Sequence, residues 1–296
     1  MNSSDWQELC QTCELGSFIQ ADPIQGSEKV HRNWRLQTSI DVFFAISELS
    51  RQYSLLASEA DGLRAIEKSK TLHCPKVIGQ YQGVKWSCLI VEWIELTDSQ
   101  KPTEQNFSDL AEKLATLHQH QEILFGWRQN NYLTSSPQSN VQLADWVSFW
   151  RSQRLLPQIK RARDQGLPLT LVADIEQIMT QLEAFFTSDT PSPALVHGNF
   201  CYDSLTLSAD HGLIVTKPAC YYGDPLIDIA FSQLEHRLPD YFYNAYWYHA
   251  KHHQQEEARI DVYQLYYRLH QFTQSTRLSL SPLRQLVQQI LARLSA

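Results

Sequence analysis

Between residues 194 and 225 the sequence reads ALVHGNFCYDSLTLSADHGLIVTKPACYYGDP. Short apolar runs alternate here with glycine, asparagine, aspartate and proline, which favour turns, so the stretch predicts loops and a β-hairpin. Apolar residues at helical spacing lie before it, at 171–186, and after it, at 261–270. The stretch is therefore predicted to be a small β insertion within a helical region.

The first 95 residues have a different pattern. Short runs rich in β-branched and aromatic residues predict strands at 33–36, 42–46, 76–78 and 86–94. A helix is predicted at 53–66, although Gly62 inside it costs about 1 kcal/mol relative to alanine. This part of the chain is predicted to mix strands with a helix.

After about residue 100 the pattern is mainly helical. One helix is predicted at 143–163, where Trp146, Phe149 and Trp150 form a stripe whose simplest interpretation is core packing. Together the patterns predict an α+β fold of two lobes. A small β-rich N-lobe spans 1–95, and a larger helical C-lobe spans 96–296 and carries the insertion at about 194–225.

The composition narrows the class of protein. The chain has 296 residues, of which 43% are hydrophobic and 19% charged, with a formal net charge of -7. This negative charge argues against nucleic acid as the main partner, and no apolar run reaches the roughly 20 residues of a membrane span. Six cysteines in a chain of this length indicate reduced thiols, and residues 1–6 lack the pattern of a signal peptide. We therefore expect a cytoplasmic protein.

Motifs distributed over nearly the whole chain resemble one enzyme family. They are SEADGL at 58–63, LIVEWIEL at 89–96, FGW at 125–127, SSPQSN at 135–140, HG at 197–198, YYGD at 221–224 and DIA at 228–230. The resemblance is to the fructosamine (ketosamine-3-) kinases, relatives of aminoglycoside phosphotransferases. It implies a two-lobed protein-kinase-like fold and transfer of a phosphoryl group from ATP to a hydroxyl of a ketosamine.

The residues at the catalytic positions of this family depart from its pattern. Where the family has a glycine pair, this chain has Ser27 and Glu28, with only Gly26 nearby. Ala45 stands at the position of the strand lysine, and Asn199 at that of the catalytic aspartate. Ser204 and Lys217 stand at the positions of the two metal ligands. An amide cannot act as a carboxylate base, and an ammonium repels a divalent cation. We therefore expect no intact catalytic residue, no bound metal and no cofactor.

Three functions are compatible with this pattern. The first interpretation is a pseudokinase that acts by binding a protein partner, as a scaffold, an assembly factor or a regulator. The alternative is an active phosphotransferase that uses ATP and magnesium in a rearranged site, with Asp203 or Asp210 in a catalytic role. The third is a binder of a sugar-amine or a glycated peptide, against which HQFT at 270–273 argues because the family has NHxN there.

The resemblance also implies which residues belong to the cleft of the family. These are Glu59, Glu92, Ile94, His197, Asp203 and Lys217. Lys217 has two interpretations: a point-charge ligand that binds phosphate without a metal, or a partner in an ion pair with Glu59 or Asp203. Asp228 is interpreted as a structural residue whose hydrogen bonds brace the loop at His197.

Two other groups of metal-ligating residue types favour structural interpretations. Cys10 and Cys13 form a CxxC pair, but no second pair lies at the spacing of a zinc site. His249, His252 and His253 lie in a stretch rich in glutamine and glutamate, which is typical of a solvated helix face. We expect neither group to bind a metal.

Overall fold

The structure is a computed structural model that describes residues 1–24, 32–97, 101–187, 190–234, 236–250, 257–275 and 279–295. In chain order the helices are α1 (Ser3–Thr12), α2 (Tyr53–Ser69), α3 (Glu104–Leu117), α4 (Trp146–Phe149), α5 (Leu156–Asp164), α6 (Leu169–Thr180), α7 (Leu226–Ser232), α8 (Asp240–Ala250), α9 (Glu257–Gln274) and α10 (Ser281–Leu294). The strands are β1 (Phe18–Pro23), β2 (Arg32–Thr38), β3 (Val42–Leu49), β4 (Val77–Gln82), β5 (Trp86–Glu92), β6 (Asn131–Leu133), β7 (Ser136–Gln138), β8 (Ala194–Val196), β9 (Leu205–Ser208), β10 (Gly212–Val215) and β11 (Tyr221–Gly223). A π-helical segment, Trp150–Leu155, joins α4 to α5.

The chain divides into two units. The first consists of Met1–Asn106 and Ser204–Ala219, and the second of Phe107–Asp203 and Cys220–Ala296. The insertion at about 194–225 is predicted to lie wholly in the helical C-lobe, whereas the β9–β10 hairpin belongs to the first unit. The reason is hydrogen bonding, because Thr97 N donates to Leu207 O at 3.1 Å and Val215 N donates to His73 O at 2.9 Å.

A five-stranded antiparallel sheet forms the centre of the first unit, in the order β1-β2-β3-β5-β4. The predicted strands at 33–36 and 42–46 pair as β2 and β3, with Trp34 opposite Ala45. The predicted helix at 53–66 is present as α2 and extends to Ser69. The structure adds α1 and β1, which the sequence analysis does not predict.

The two faces of this sheet have separate apolar cores. Side chains alternate between the faces of a strand, so Phe43 and Ala45 lie on one face of β3 while Phe44 and Ile46 lie on the other. The first pair packs with α1 in a core that includes Trp6. The second pair packs against the core that α2 forms with β5. Each helix therefore covers its own face of the sheet.

Gly62 allows α2 to approach the segment that follows β10. A Cβ added at Gly62 would lie 2.9 Å from Cγ of Pro218, closer than real Cβ atoms come to a neighbour. The helix thus accepts the roughly 1 kcal/mol penalty of an interior glycine because a larger residue would push Pro218 away.

Helix α9 is the central element of the second unit and packs against α5, α7 and α10. The helix predicted at 143–163 is divided into α4, the π-helical segment and α5, and Asp145 caps its start by accepting from Ser148 N at 2.7 Å. Trp146, Phe149 and Trp150 are fully buried, which confirms their interpretation as core residues.

The π-helical segment carries a fully buried arginine, Arg154. Its guanidinium donates to Ser139 O at 2.6 Å and to Asn140 Oδ1 at 2.7 Å, and lies 4.0 Å from the ring centre of Tyr221. These partners belong to the SSPQSN and YYGD motifs. A single buried cation therefore joins two motifs that lie about eighty residues apart in the sequence.

The remaining sequence-based expectations concern metals and membranes. Cys10 is buried in the α1 core and Cys13 is a half-buried free thiol, while His249 lies in α8 and His252 and His253 fall outside the described residues. In the described ranges no three His, Cys, Asp or Glu side chains form a group that could hold a metal ion. None of the described helices combines the length and the apolar composition that crossing a bilayer requires.

We predict that Arg154→Lys lowers the free energy of unfolding by about 2–4 kcal/mol, because an ammonium lacks the planar fork that serves both Ser139 O and Asn140. Urea denaturation followed by tryptophan fluorescence measures the change. Arg163→Lys, at a half-exposed arginine of α5, is the matched control and should change stability by less than about 0.5 kcal/mol. Equal effects of the two substitutions would contradict the structural role of Arg154.

Candidate active site

A buried carboxylate holds the loop that follows β8. Asp228, in the first turn of α7, is fully buried and accepts from His197 N at 2.7 Å and from Gly198 N at 2.8 Å. Gly198 has a φ of 76°, a left-handed conformation that glycine adopts without steric cost. The two backbone N–H groups provide hydrogen bonds to the charged form of the carboxylate and fix the start of the loop.

His118, which no sequence motif indicates, completes this arrangement. His118 Nε2 lies 3.1 Å from Asp228 Oδ2, and its Nδ1 lies 2.8 Å from the hydroxyl of Tyr246. All three side chains are buried. His118 follows α3 without any motif around it, so only the three-dimensional structure shows that it faces Asp228.

The loop beyond Gly198 presents one carboxylate to solvent. Asn199, at the position of the catalytic aspartate of the family, is buried, and its backbone N donates to His197 Nδ1 at 3.3 Å. Asp203 is exposed in the short 3-10 turn Tyr202–Ser204. An exposed carboxylate can accept a proton, whereas the amide of Asn199 cannot.

The segment after β10 fixes Lys217 in an unusual backbone conformation. Thr216 donates to Ser204 O through its N at 2.8 Å and through its Oγ1 at 3.2 Å, and Pro218 packs against Gly62. Between these anchors Lys217 has a φ of 55°, and its side chain is exposed. A residue before proline ordinarily avoids helical conformations, and a non-glycine residue in the left-handed region costs about 1–3 kcal/mol.

The residues at the two metal positions of the family do not suit magnesium. Mg²⁺ prefers carboxylate oxygens and water in an octahedral arrangement. Ser204 is fully buried and its carbonyl accepts from Thr216, while Lys217 contributes a positive charge. This donor set offers no anionic oxygen at either position and does not fit a divalent cation.

The remaining cleft candidates of the first unit lie on α2 and at the end of β5. Glu59 is half-buried on α2, Glu92 Oε2 accepts from Lys76 N at 3.2 Å, and Ile94 follows β5 half-buried.

Ala45 lies on the sheet face that α1 covers, opposite the face on which α2 packs. A lysine at position 45 would therefore lie in the α1 core rather than beside Glu59. Gly26, Ser27 and Glu28 fall outside the described residues.

In the second unit, the SSPQSN motif contacts the C-terminal half of α9. Tyr266 Oη donates to Gln138 Oε1 at 2.8 Å, and Gln274 Nε2 donates to Ser136 Oγ at 2.8 Å. At the tip of the β6–β7 hairpin, Thr134 Oγ1 lies 3.3 Å from Nε2 of the buried His270. The hairpin and the HQFT stretch are thus brought together, although their spacing in the sequence gives no sign of it.

His270 is held in its neutral form. Burial, reinforced by the positive charge of Arg161, lowers the pKa of His270 to about 4. Its Nδ1 has no hydrogen-bond partner among the described residues. A neutral imidazole at this position can exchange hydrogen bonds with the Thr134 hydroxyl in either direction.

Comparison with known proteins places these features in a family. The sequence profile of the fructosamine kinases matches residues 5–293. A probable ketoamine kinase from Synechocystis is 26% identical over 271 residues, which cover 90% of this chain and 88% of the relative. A crystal structure described as a fructosamine-3-kinase from Thermobifida fusca superposes with a TM-score of 0.85 at 23% identity, covering 99% of this chain and 100% of that chain.

The fold is shared more widely. The aminoglycoside phosphotransferase APH(4)-Ia, in a ternary complex with ADP and hygromycin B, superposes with a TM-score of 0.61 at 16% identity over 92% of this chain and 91% of that chain. The predicted α+β, protein-kinase-like fold is therefore confirmed. Within this fold class, the chain belongs to the fructosamine kinase family.

These comparisons correct two expectations. The interpretation as a pseudokinase that acts by binding is wrong, because the similar proteins are named as kinases of ketoamines. The expectation of no cofactor is not supported either, because a kinase-like neighbour was determined with ADP. The substitutions at Asn199, Ser204 and Lys217 remain, and any catalytic arrangement has to work with them.

We predict that Asp228→Asn lowers the free energy of unfolding by about 3 kcal/mol, because the amide turns a donor toward one of the two backbone N–H groups. Denaturation measures the loss, and hydrogen exchange should be faster at the amides of His197 and Gly198. Asp240→Asn, at an exposed carboxylate paired with Arg237, is the control. Unchanged protection of both loop amides in Asp228→Asn would show that the carboxylate does not hold the loop.

We also predict that His270 makes stability depend on pH. Its pKa is depressed in the folded state, so the unfolded chain binds the proton more readily between about pH 6.5 and the folded value of about 4. Stability is therefore full above pH 6.5 and falls by up to about 3 kcal/mol as the pH decreases to 4.

Denaturation at several pH values measures this slope, and His270→Gln should flatten it. His236→Gln, at an exposed histidine, serves as the control. If the slope survives in His270→Gln, other groups are responsible for the acid sensitivity.

Proposed function

We propose that this chain is an ATP-dependent phosphotransferase that acts on ketosamines through a rearranged active site. Family membership supports the reaction class, and the names of the similar proteins support the acceptor class. The single structural observation that carries the proposal is the buried Asp228, which holds the His197 loop through two backbone hydrogen bonds. Burying a carboxylate costs free energy, and here the carboxylate fixes the backbone of the loop. Catalysis that depends on positioning the reactants requires a loop fixed in this way.

The proposal assigns the general base to Asp203. Phosphoryl transfer needs little covalent chemistry from the protein, but the acceptor hydroxyl must lose its proton. Asp203 is an exposed carboxylate on the loop that Asp228 anchors, four residues after Asn199. Asp210, the other candidate from the sequence, is exposed in the turn between β9 and β10 of the first unit. We favour Asp203 because it shares the anchored loop with the position that it replaces.

ATP is the proposed phosphoryl donor. The ADP complex of the kinase-like neighbour APH(4)-Ia supports this choice. Magnesium has no role in the proposed reaction, because the residues at positions 204 and 217 do not fit it. The six free cysteines support a cytoplasmic location, and the expected protein partner stays a prediction.

The test is phosphate transfer from ATP to a fructosylated lysine derivative, measured by ADP release and by detection of the phosphorylated product. Asp203→Asn should lower kcat by about 10²–10⁴-fold, the usual contribution of a general base. Asp164→Asn, at an exposed carboxylate at the end of α5, is the matched control and should leave kcat unchanged.

Asp210→Asn distinguishes the two candidate bases. Loss of activity in Asp210→Asn with activity retained in Asp203→Asn would move the base to Asp210. Absence of product from the unmodified chain with every ketosamine acceptor tested would overturn the proposed function itself.

A further inference from the structure

The residues around position 217 disagree with the metal that the family implies. A divalent ion would need anionic oxygens, but Ser204 is buried with its carbonyl bonded to Thr216, and Lys217 carries a positive charge. Phosphate groups still require positive charge at a nucleotide site. An ammonium supplies that charge directly, as a compact point charge with three donors.

The backbone around Lys217 is held on both sides. Toward the N-terminus, Val215 N donates to His73 O at 2.9 Å and Thr216 N donates to Ser204 O at 2.8 Å. Toward the C-terminus, the ring of Pro218 packs against Gly62 of α2 so closely that no Cβ would fit. The position of the Lys217 Cα is therefore set by contacts that do not involve its own side chain.

The conformation of Lys217 adds a second observation. Its φ of 55° is left-handed although it is neither glycine nor asparagine and although it precedes proline. Strain of this kind persists where the surroundings over-determine the backbone, and it is concentrated at ligand sites. The exposed side chain thus extends from a fixed backbone rather than from a mobile loop.

We propose that this chain binds the phosphates of ATP without a divalent cation, and that the Lys217 ammonium contacts them where the family pattern has a metal ion. The inference rests on the proposed function for the identity of the nucleotide. It deepens that function by replacing a metal-bridged nucleotide with a direct ammonium–phosphate contact.

An ion pair between Lys217 and an acidic side chain, Glu59 or Asp203, is the competing role. In that role the ammonium stabilises the fold and does not contribute to the affinity for ATP. The two roles differ in one measurable property, which is whether the stability gained from ATP depends on Lys217.

The experiment measures the shift in melting temperature with millimolar ATP, in excess EDTA and in excess magnesium. A ligand that binds the folded state raises its stability by mass action, so the titrations yield Kd. The unmodified chain should bind ATP in EDTA about as tightly as in magnesium. Lys217→Gln should weaken binding in EDTA by about tenfold or more, which is the loss of one charge-assisted hydrogen bond.

Three further variants sharpen the test. Lys217→Arg keeps a cation and should retain binding in EDTA, whereas Lys217→Asp should bind ATP only when magnesium is present. Lys85→Gln, at an exposed lysine beside Trp86, is the matched control and should behave as the unmodified chain. Both positions are exposed, so all four variants are expected to fold.

Two results would overturn the inference. One is binding of ATP by the unmodified chain in magnesium but not in EDTA, or in neither. The other is unchanged binding in Lys217→Gln. Either result leaves the phosphotransferase assay to be judged by its own product, and absence of product with metal-free ATP binding intact would reject the function while leaving this inference in place.

Discussion

The hydrogen bonds from two consecutive backbone N–H groups to the buried Asp228 are the constraint on which the candidate site depends. A buried carboxylate is unfavourable unless donors surround it, so α7, the loop after β8 and His118 have to come together for any of them to be stable. The same contact fixes the start of the loop on which the exposed Asp203 lies. The requirement that donors surround one buried carboxylate therefore links the packing of the second unit to its candidate site.

Much of the fold could be predicted because it depends on local pattern. The strands β2, β3 and β5 and the helix α2 follow from periodicity, and the order of elements indicates the fold class. The division of the predicted helix at 143–163 could not be predicted, because it depends on Arg154 reaching acceptors in other segments. The placement of β9–β10 in the first unit likewise depends on long-range backbone hydrogen bonds that carry no residue signature.

The candidate site, like the fold, could be predicted from the sequence only in part. The motif at 197–198 and the carboxylate at 228 are visible in the sequence, because such contacts require particular residue types. His118 is not, because a histidine after an ordinary amphipathic helix has no distinguishing context. The relation of Ala45 to Glu59 also needs the structure: β3 alternates between two buried faces, and only the packing of α1 and α2 shows which face each residue occupies.

Around the His197 loop and Lys217, backbone shape and side-chain chemistry depart from the family pattern to different degrees. The contacts that shape the loops remain, including the glycine at 198 and the tight approach of Gly62 to Pro218. At positions 199, 204 and 217, an amide, a hydroxyl and an ammonium stand where the family pattern has its catalytic carboxylate and its two metal ligands. Shape depends on packing and backbone hydrogen bonds, whereas the electrostatic field depends on a few side chains. A chain can therefore keep the geometry of a phosphotransferase while inverting the charge at one position, and the left-handed Lys217 is where this chain does so.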